Sequence, residues 1–211
     1  LPPGAEDAEL IIRRGAAPKA LAAIASERAS DLIVTGVARY NSIGDYFLGT
    51  AVDHIIRNAT QPVLVVRRRA TGSYGRLLVA TDLSDCSRAA MLAAAAMFPQ
   101  ASITLVHAFH VPYEGWLKSD DVKAEVREEA QEELDKFLAK VVPDVRERLD
   151  ARLGEGEIGT VIARELVDAN ADLLVLGTHG RSGFAHATIG SQAEALLALV
   201  DVDVLMVREP K

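Results

Sequence analysis

The chain repeats itself. Setting Gly36 over Gly177 fixes an offset of 177 − 36 = 141 residues, and at that offset Gly15 falls on Gly156, Asp31 on Asp172, Leu32 on Leu173 and Val34 on Val175 without a gap. The match continues with Gly49 on Gly190, Thr50 on Ser191, and the run Val63-Leu64-Val65-Val66-Arg67 on Val204-Leu205-Met206-Val207-Arg208. A duplicated unit is therefore the first constraint on the fold. The second copy begins at about Arg76 and occupies 76–211; the first occupies 1–67 and corresponds only to the latter half of that unit. Residues 68–75, polar and glycine-bearing, form the junction. A half unit of two strands and two helices buries too little apolar surface to stand alone, so it is expected to pack on the second unit or on material outside this sequence. A fragment of a longer tandem chain is the preferred reading over a separate partner.

Apolar runs rich in Val, Leu and Ile recur at 31–35, 62–66, 76–80, 103–106, 172–176 and 204–207. They are nearly continuous rather than alternating, as in a parallel sheet covered on both faces. Helical periodicity fills the intervals at 19–29, 50–58, 87–97, 122–141, 158–169 and 192–199, which makes the class α/β. In the most charged of these, Val126, Ala130, Leu134, Phe137 and Leu138 share one face opposite Glu and Lys, the pattern of a surface helix. The longest apolar run, 89–98, is far short of the roughly 20 residues that span a bilayer. A formal charge of −7 and a single cysteine argue against a nucleic-acid binder, a disulfide scaffold and a zinc cluster, and make the cytoplasm the expected location.

The residues that carry chemistry follow the strand at 172–176. Gly177-Thr178-His179-Gly180-Arg181-Ser182-Gly183-Phe184 leads to Ile189-Gly190-Ser191-Gln192 at the next helix start, a G-x-x-G-x9-G-S pattern. Glycines at the carboxyl end of a parallel strand let backbone amides approach a bound group, and a helix N-terminus with a hydroxyl suits phosphate. A second element lies at the front of the same unit, where Leu77-Leu78-Val79-Ala80 runs into Thr81-Asp82-Leu83-Ser84-Asp85. Open α/β sheets bind ligands beyond strand carboxyl ends, so Asp82 is expected to face the ligand, with helix capping as its competing role.

These motifs resemble the universal stress proteins in their tandem form, over nearly the whole chain. The resemblance implies an open, doubly wound parallel sheet of the adenine-nucleotide alpha-hydrolase type. It also implies ATP, with or without Mg2+, held by Gly177, Gly180, Gly190 and Ser191 at ribose and phosphates, with Ala80, Thr81, His179, Arg181 and Gln192 beside them. Asp82 matches the family's base- and ribose-contacting aspartate, Val106 the position whose backbone reads adenine, and Leu176 a residue lining that pocket. Family members pair through their last strands, which implies a homodimer, or an intrachain pseudo-dimer with 63–67 against 204–208. The first copy departs from the pattern, with Arg39, Tyr40 and Asn41 where the second glycine and its neighbours stand. Asp203, where the first copy has Pro62, is a further departure.

His107, His110, His179 and His186 lack a carboxylate or cysteine at metal-ligand spacing, so no metal site is expected. Cys86 is expected to be a small buried residue and Trp116 to pack locally. Arg181 suits either phosphate or solvent. No Walker lysine follows the glycines and no residue is placed to activate water, so a nucleotide-dependent stress or signalling role is expected, with a slow ATPase or a nucleotide-free dimeric scaffold as rivals.

Overall fold

The computed structural model describes residues 7–37, 50–69, 72–111, 120–180 and 189–208. The apolar runs form seven strands: β1 (Ile33–Gly36), β2 (Val63–Val66), β3 (Arg76–Thr81), β4 (Ser102–Phe109), β5 (Leu149–Glu155), β6 (Leu173–Gly177) and β7 (Asp203–Val207). They make one sheet in the order β1-β2-β7-β6-β3-β4-β5. Neighbours are parallel except β2 and β7, which are antiparallel.

Side chains alternate across the sheet, so successive residues feed opposite cores. Leu78, Ala80, Val106, Leu174, Leu176, Val204 and Met206 pack beneath α1 (Ala17–Glu27), α2 (Thr50–Asn58), α6 (Ile158–Asp168) and α7 (Ser191–Leu199). Leu77, Val79, Ile103, Leu105, Leu173, Val175 and Leu205 pack beneath α3 (Asp85–Met97), α4 (Asp120–Leu138) and the short α5 (Pro143–Arg146). Each fully buried Leu, Val or Ile contributes about 1.5–3 kcal/mol, which explains why these strands carry almost no polar residues.

The duplication is visible down to single dihedrals. At the 141-residue offset α1 coincides with α6 and α2 with α7, end to end. Ala29 and Asn170, which are equivalent, both adopt φ of 47°, and Gly15 and Gly156 adopt 134° and 129°. The β2–β7 register sets Leu64 opposite Leu205, two equivalent residues, with Val63 opposite Met206 and Val65 opposite Val204. A pseudo-twofold axis therefore passes between the last strands of the two copies. The side chains of Arg67 and Arg208, also equivalent, each cross it, donating to the carbonyls of Leu197 and Arg57 respectively.

Asp203 explains its own departure from the repeat. It is buried in β7, and its carboxylate accepts from the Arg67 and Arg68 amides at 2.6 and 3.1 Å and from the Tyr74 hydroxyl at 2.5 Å. Tyr74 in turn meets Phe98 edge to face at 5.4 Å. A proline at this position accepts none of these bonds, so the residue that differs between the copies is the one that ties the junction down.

Strand β5 and the helical turn α5 lie outside the sequence expectation. β5 is an edge strand of sequence LDARLGE in which Asp150 and Arg152 pair at 2.7 Å and Arg152 reaches Glu165 of α6 at 3.0 Å. Its ladder to β4 makes it a strand, and its charges hide it from an apolar-run search. The segments 38–49, 112–119 and 181–188 lie outside the described residues. They contain Arg39, Tyr40, Asn41, Gly49, Trp116, Arg181 and His186.

Candidate functional site

The carboxyl ends of β3 and β6 lie side by side, and beyond them opens a cavity of about 370 Å3. This is within the roughly 300–1,000 Å3 of small-molecule sites. Its rim is built from three chain turns, each fixed by local hydrogen bonding.

The first turn follows β3. Thr81 is buried, and its Oγ1 accepts from the Leu83 amide at 2.9 Å and lies 2.7 Å from Ser87 Oγ. Ser87 Oγ donates to the Ser84 carbonyl at 2.9 Å. With one hydrogen per hydroxyl, Thr81 must donate to Ser87, so both hydroxyls are committed within the turn. Asp82 Oδ1 accepts from the Ser84 amide at 3.1 Å, and Ser84 Oγ accepts from the Ser87 amide as the cap of α3. Capping thus belongs to Ser84, while Asp82 lines the cavity. Leu83 adopts φ of 64°, a left-handed conformation that bulky side chains seldom take, and packs against the core under α3. That twist turns Leu83 toward one face of the sheet with Asp82 at the cavity on the other. His107, at the matching end of β4, donates from Nδ1 to the Thr81 carbonyl at 2.9 Å and braces the turn.

The second turn follows β6. A Cβ on Gly177 would lie 3.1 Å from Cys86 Sγ and 3.3 Å from the Cys86 carbonyl carbon and the Ser87 amide, so glycine here lets the start of α3 close on the strand end. A Cβ on Gly180 would stand 2.7 Å from Asp82 Oδ2, so this glycine lets the loop meet the carboxylate. Thr178 is buried between its amide bond to Val207 and its carbonyl bond from the Gly190 amide, both 2.9 Å, and its Oγ1 lies 2.8 Å from His179 Nδ1. The Thr178–Gly190 bond pins both ends of the segment between them.

The third turn is the start of α7. Gly190 is its N-cap, with φ −59° and ψ 140° and no side-chain cap, and the Glu194 amide is the first to bond back to the Gly190 carbonyl. Helix geometry leaves the amides of Ser191, Gln192 and Ala193 without intrahelical acceptors, and these three residues line the cavity. The neighbouring N-terminus, that of α6, is closed: Glu157 accepts from the Thr160 amide at 2.9 Å, and the amides of Gly159 and Thr160 hold its carboxyl below the usual range. Of these two helix starts, α6 has a carboxylate bonded to its first-turn amides, whereas α7 has glycine at its cap and its first-turn acid, Glu194, lies 3.9 Å from Arg57, which makes α7 the more anion-receptive end. Ile158, Leu176, Ala193 and Leu196 supply an apolar wall.

Ten of the twelve residues singled out from sequence line this cavity: Ala80, Thr81, Asp82, Leu176, Gly177, His179, Gly180, Gly190, Ser191 and Gln192. Val106 does not. It is fully buried within β4, paired with Ala80 on one side and Arg152 on the other, and Ala108 holds the same face two residues nearer the strand's end. Arg181 lies outside the described residues. Sequence reasoning missed Ser87, Ile158, Ala193 and Leu196, which line the cavity from helices; only their place one turn into α3 and at the facing ends of α6 and α7 marks them. Among the described residues no three His, Cys, Asp or Glu side chains cluster as metal ligands, and no helix is long and apolar enough to cross a membrane.

A doubly wound α/β sheet with a glycine-edged cavity at its strand ends and an open helix N-terminus defines a ligand-binding α/β architecture. The sequence profile of the universal stress protein family matches residues 2–67 and 73–208, and the chain belongs to that family. It is 28% identical over 192 residues to a universal stress protein of Mycobacterium tuberculosis, an alignment covering 85% of this chain and 62% of the relative. The chain thus spans about three fifths of the length of that relative. A universal stress protein of Methanocaldococcus jannaschii is 28% identical over 153 residues, 68% of this chain and 88% of its own. A Pseudomonas aeruginosa protein described as functionally unknown shares the fold, with a TM-score of 0.65 at 21% identity over 93% of this chain and 69% of its own.

Proposed function

We propose that the cavity of the second unit binds an adenine nucleotide, ATP in the first instance and with or without Mg2+, and that occupancy acts as a signal rather than as a step in a reaction. One observation carries this reading: the open N-terminus of α7, the Asp82 carboxylate and an apolar wall line the same cavity. Phosphates fit the amides of Ser191, Gln192 and Ala193, the ribose hydroxyls fit Asp82 as acceptor, and the base fits the surface of Ile158, Leu176 and Leu196. The commitment of the Thr81 and Ser87 hydroxyl hydrogens to their own turn leaves polar recognition to Asp82, to the side chains of His179, Ser191 and Gln192, and to backbone. Residues 1–67 act as a degenerate half unit, 68–75 as a linker and 76–211 as the complete unit. The β2–β7 ladder then supplies within one chain a dimer-like contact between the two units. Cytoplasmic residence and a stress or signalling role go with this reading.

Isothermal titration with ATP, GTP and inorganic phosphate tests it. Saturable binding of ATP at one site per chain, with GTP weaker and phosphate undetectable, is the expected outcome; equal heats for ATP and GTP overturn the adenine assignment. Magnesium-dependent release of phosphate that is lost on substitution of Asp82 would move the role from signal to slow hydrolysis.

A further inference from the structure

One arginine of the first unit reaches across to the helix start that borders the cavity of the second. Helices α2 and α7 are equivalent, and each carries an acid in its first turn, Asp53 in α2 and Glu194 in α7. A carboxylate there suits the positive end of a helix dipole, but it repels any anion bound at the same end. In α2 the acid has a cation one turn on: Arg57 Nε donates to the Asp53 carboxylate at 2.8 Å. At the 141-residue offset Arg57 falls on Ala198, and α7, of sequence SQAEALLAL, has no cation of its own. Arg57 supplies one from the other unit, with Nη2 at 3.9 Å from Glu194 Oε2. This arginine is fixed from both sides of the pseudo-twofold, since Asp53 holds its guanidinium and Arg208 of the second unit donates to its carbonyl at 2.7 Å. Its side chain is 26% exposed, against 51% for Glu194, so the cation is set in place and the acid is the freer partner. Toward the other end of α7, Arg67 donates to the Leu197 carbonyl, so cations of the first unit meet this helix at both ends.

We infer that Arg57 is a positioning residue for the anion site at the start of α7: by neutralising Glu194 it lowers the repulsion a bound phosphate meets, and the first unit thereby tunes the second unit's affinity for phosphate-bearing ligands. Neither Arg57 nor Glu194 lines the cavity, so both act on it through charge rather than contact. The inference rests on the proposed nucleotide site. It gives the first unit, whose own loop has Arg39 in place of the second glycine, a part in that site.

The test is calorimetry of ATP and of adenosine on wild type, Arg57→Gln, Arg57→Lys, Glu194→Gln and the double Gln variant, with urea melts of the same proteins. At low salt Arg57→Gln is expected to weaken ATP about two- to fivefold and Glu194→Gln to tighten it by a similar factor, the range of partly exposed ion pairs. The double variant and Arg57→Lys should return to within about twofold of wild type, adenosine should bind all five proteins alike, and the ATP differences should shrink at about 1 M salt, where charges are screened beyond roughly 3 Å. The melts should show the two Gln substitutions to be coupled, which reads the ion pair without any ligand. An Arg57→Gln protein that loses ATP and adenosine alike, or that Glu194→Gln fails to rescue, overturns the inference by showing a structural role, and so does a melt cycle with no measurable coupling. ATP bound equally by wild type and Arg57→Gln overturns this inference alone; a wild type that binds neither ATP nor adenosine overturns the nucleotide reading and this inference with it.

Discussion

Asp203→Ala is the most informative change outside the cavity. The substitution removes three hydrogen bonds accepted by one buried carboxylate, from the Arg67 and Arg68 amides and the Tyr74 hydroxyl. Bonds to a charged acceptor contribute about 1.5–3 kcal/mol each, but Arg67 and Tyr74 are only half-buried and Arg68 is exposed, so water recovers part of the loss and a net cost of about 2–4 kcal/mol follows. For a chain of this size that lowers Tm by roughly 5–15 °C. Tyr74→Phe removes a single bond and costs about 1–2 kcal/mol, and the double variant couples the two by about 1 kcal/mol or more. Burial first, then the bond to Asp203, raises the Tyr74 pKa above its ordinary value. Its contribution is therefore fully present below pH 10, the unfolded value, and is lost as pH climbs above it, because unfolding then releases the phenolic proton. Urea melts of the four proteins at pH 7 and pH 11 read all of this. An Asp203→Ala protein within 0.5 kcal/mol of wild type, or a Tyr74→Phe protein with the same alkaline slope as wild type, would refute the reasoning.

Three further predictions concern the cavity and the sheet. Gly177→Ala forces a methyl against Cys86 and the start of α3 and should cost about 1–3 kcal/mol in chemical denaturation, whereas Gly190→Ala, whose Cβ would stand 3.7 Å from the nearest atom, should cost under about 1 kcal/mol. Asp82→Ala should weaken ATP binding by about 1–3 kcal/mol by calorimetry, with equal affinity returning Asp82 to a turn-forming role alone. Val175→Ser should destabilise by about 2 kcal/mol or more, and Val34→Ser, at the equivalent exposed site, by less than about 0.5 kcal/mol in this 211-residue chain, as thermal melts would show.

How much of this was legible beforehand depended on whether the signal was local. The repeat, the six apolar strands and the glycine pattern are sequence facts that the structure carries into place, because continuous apolar runs and a glycine at a strand end each have few alternative uses. The pairing of the two last strands came from the family resemblance, which left a homodimer open beside it; the structure has Val63–Val65 antiparallel to Val204–Met206 within the chain. Strand β5 was not: Asp150, Arg152 and Glu155 disguise an edge strand that only its ladder to β4 defines. Nor was the depth of Val106, because β4 runs on to Phe109 and sets Val106 three residues inside the strand end. The left-handed Leu83 and the closed hydroxyl pair of Thr81 and Ser87 depend on where α3 starts, which no residue count before Ser84 reveals.

The central claim is nucleotide occupancy of the second unit, and one measurement meets it directly. Purified chain and a Gly190→Val variant, matched by circular dichroism, are denatured in acid and the supernatants separated by chromatography for adenine nucleotides, before and after incubation with ATP and Mg2+. The account predicts close to one adenine nucleotide released per wild-type chain and almost none from the variant, because a branched side chain at the α7 cap blocks the approach of phosphate to the amides. A wild type that releases none, and retains none after incubation, would contradict it.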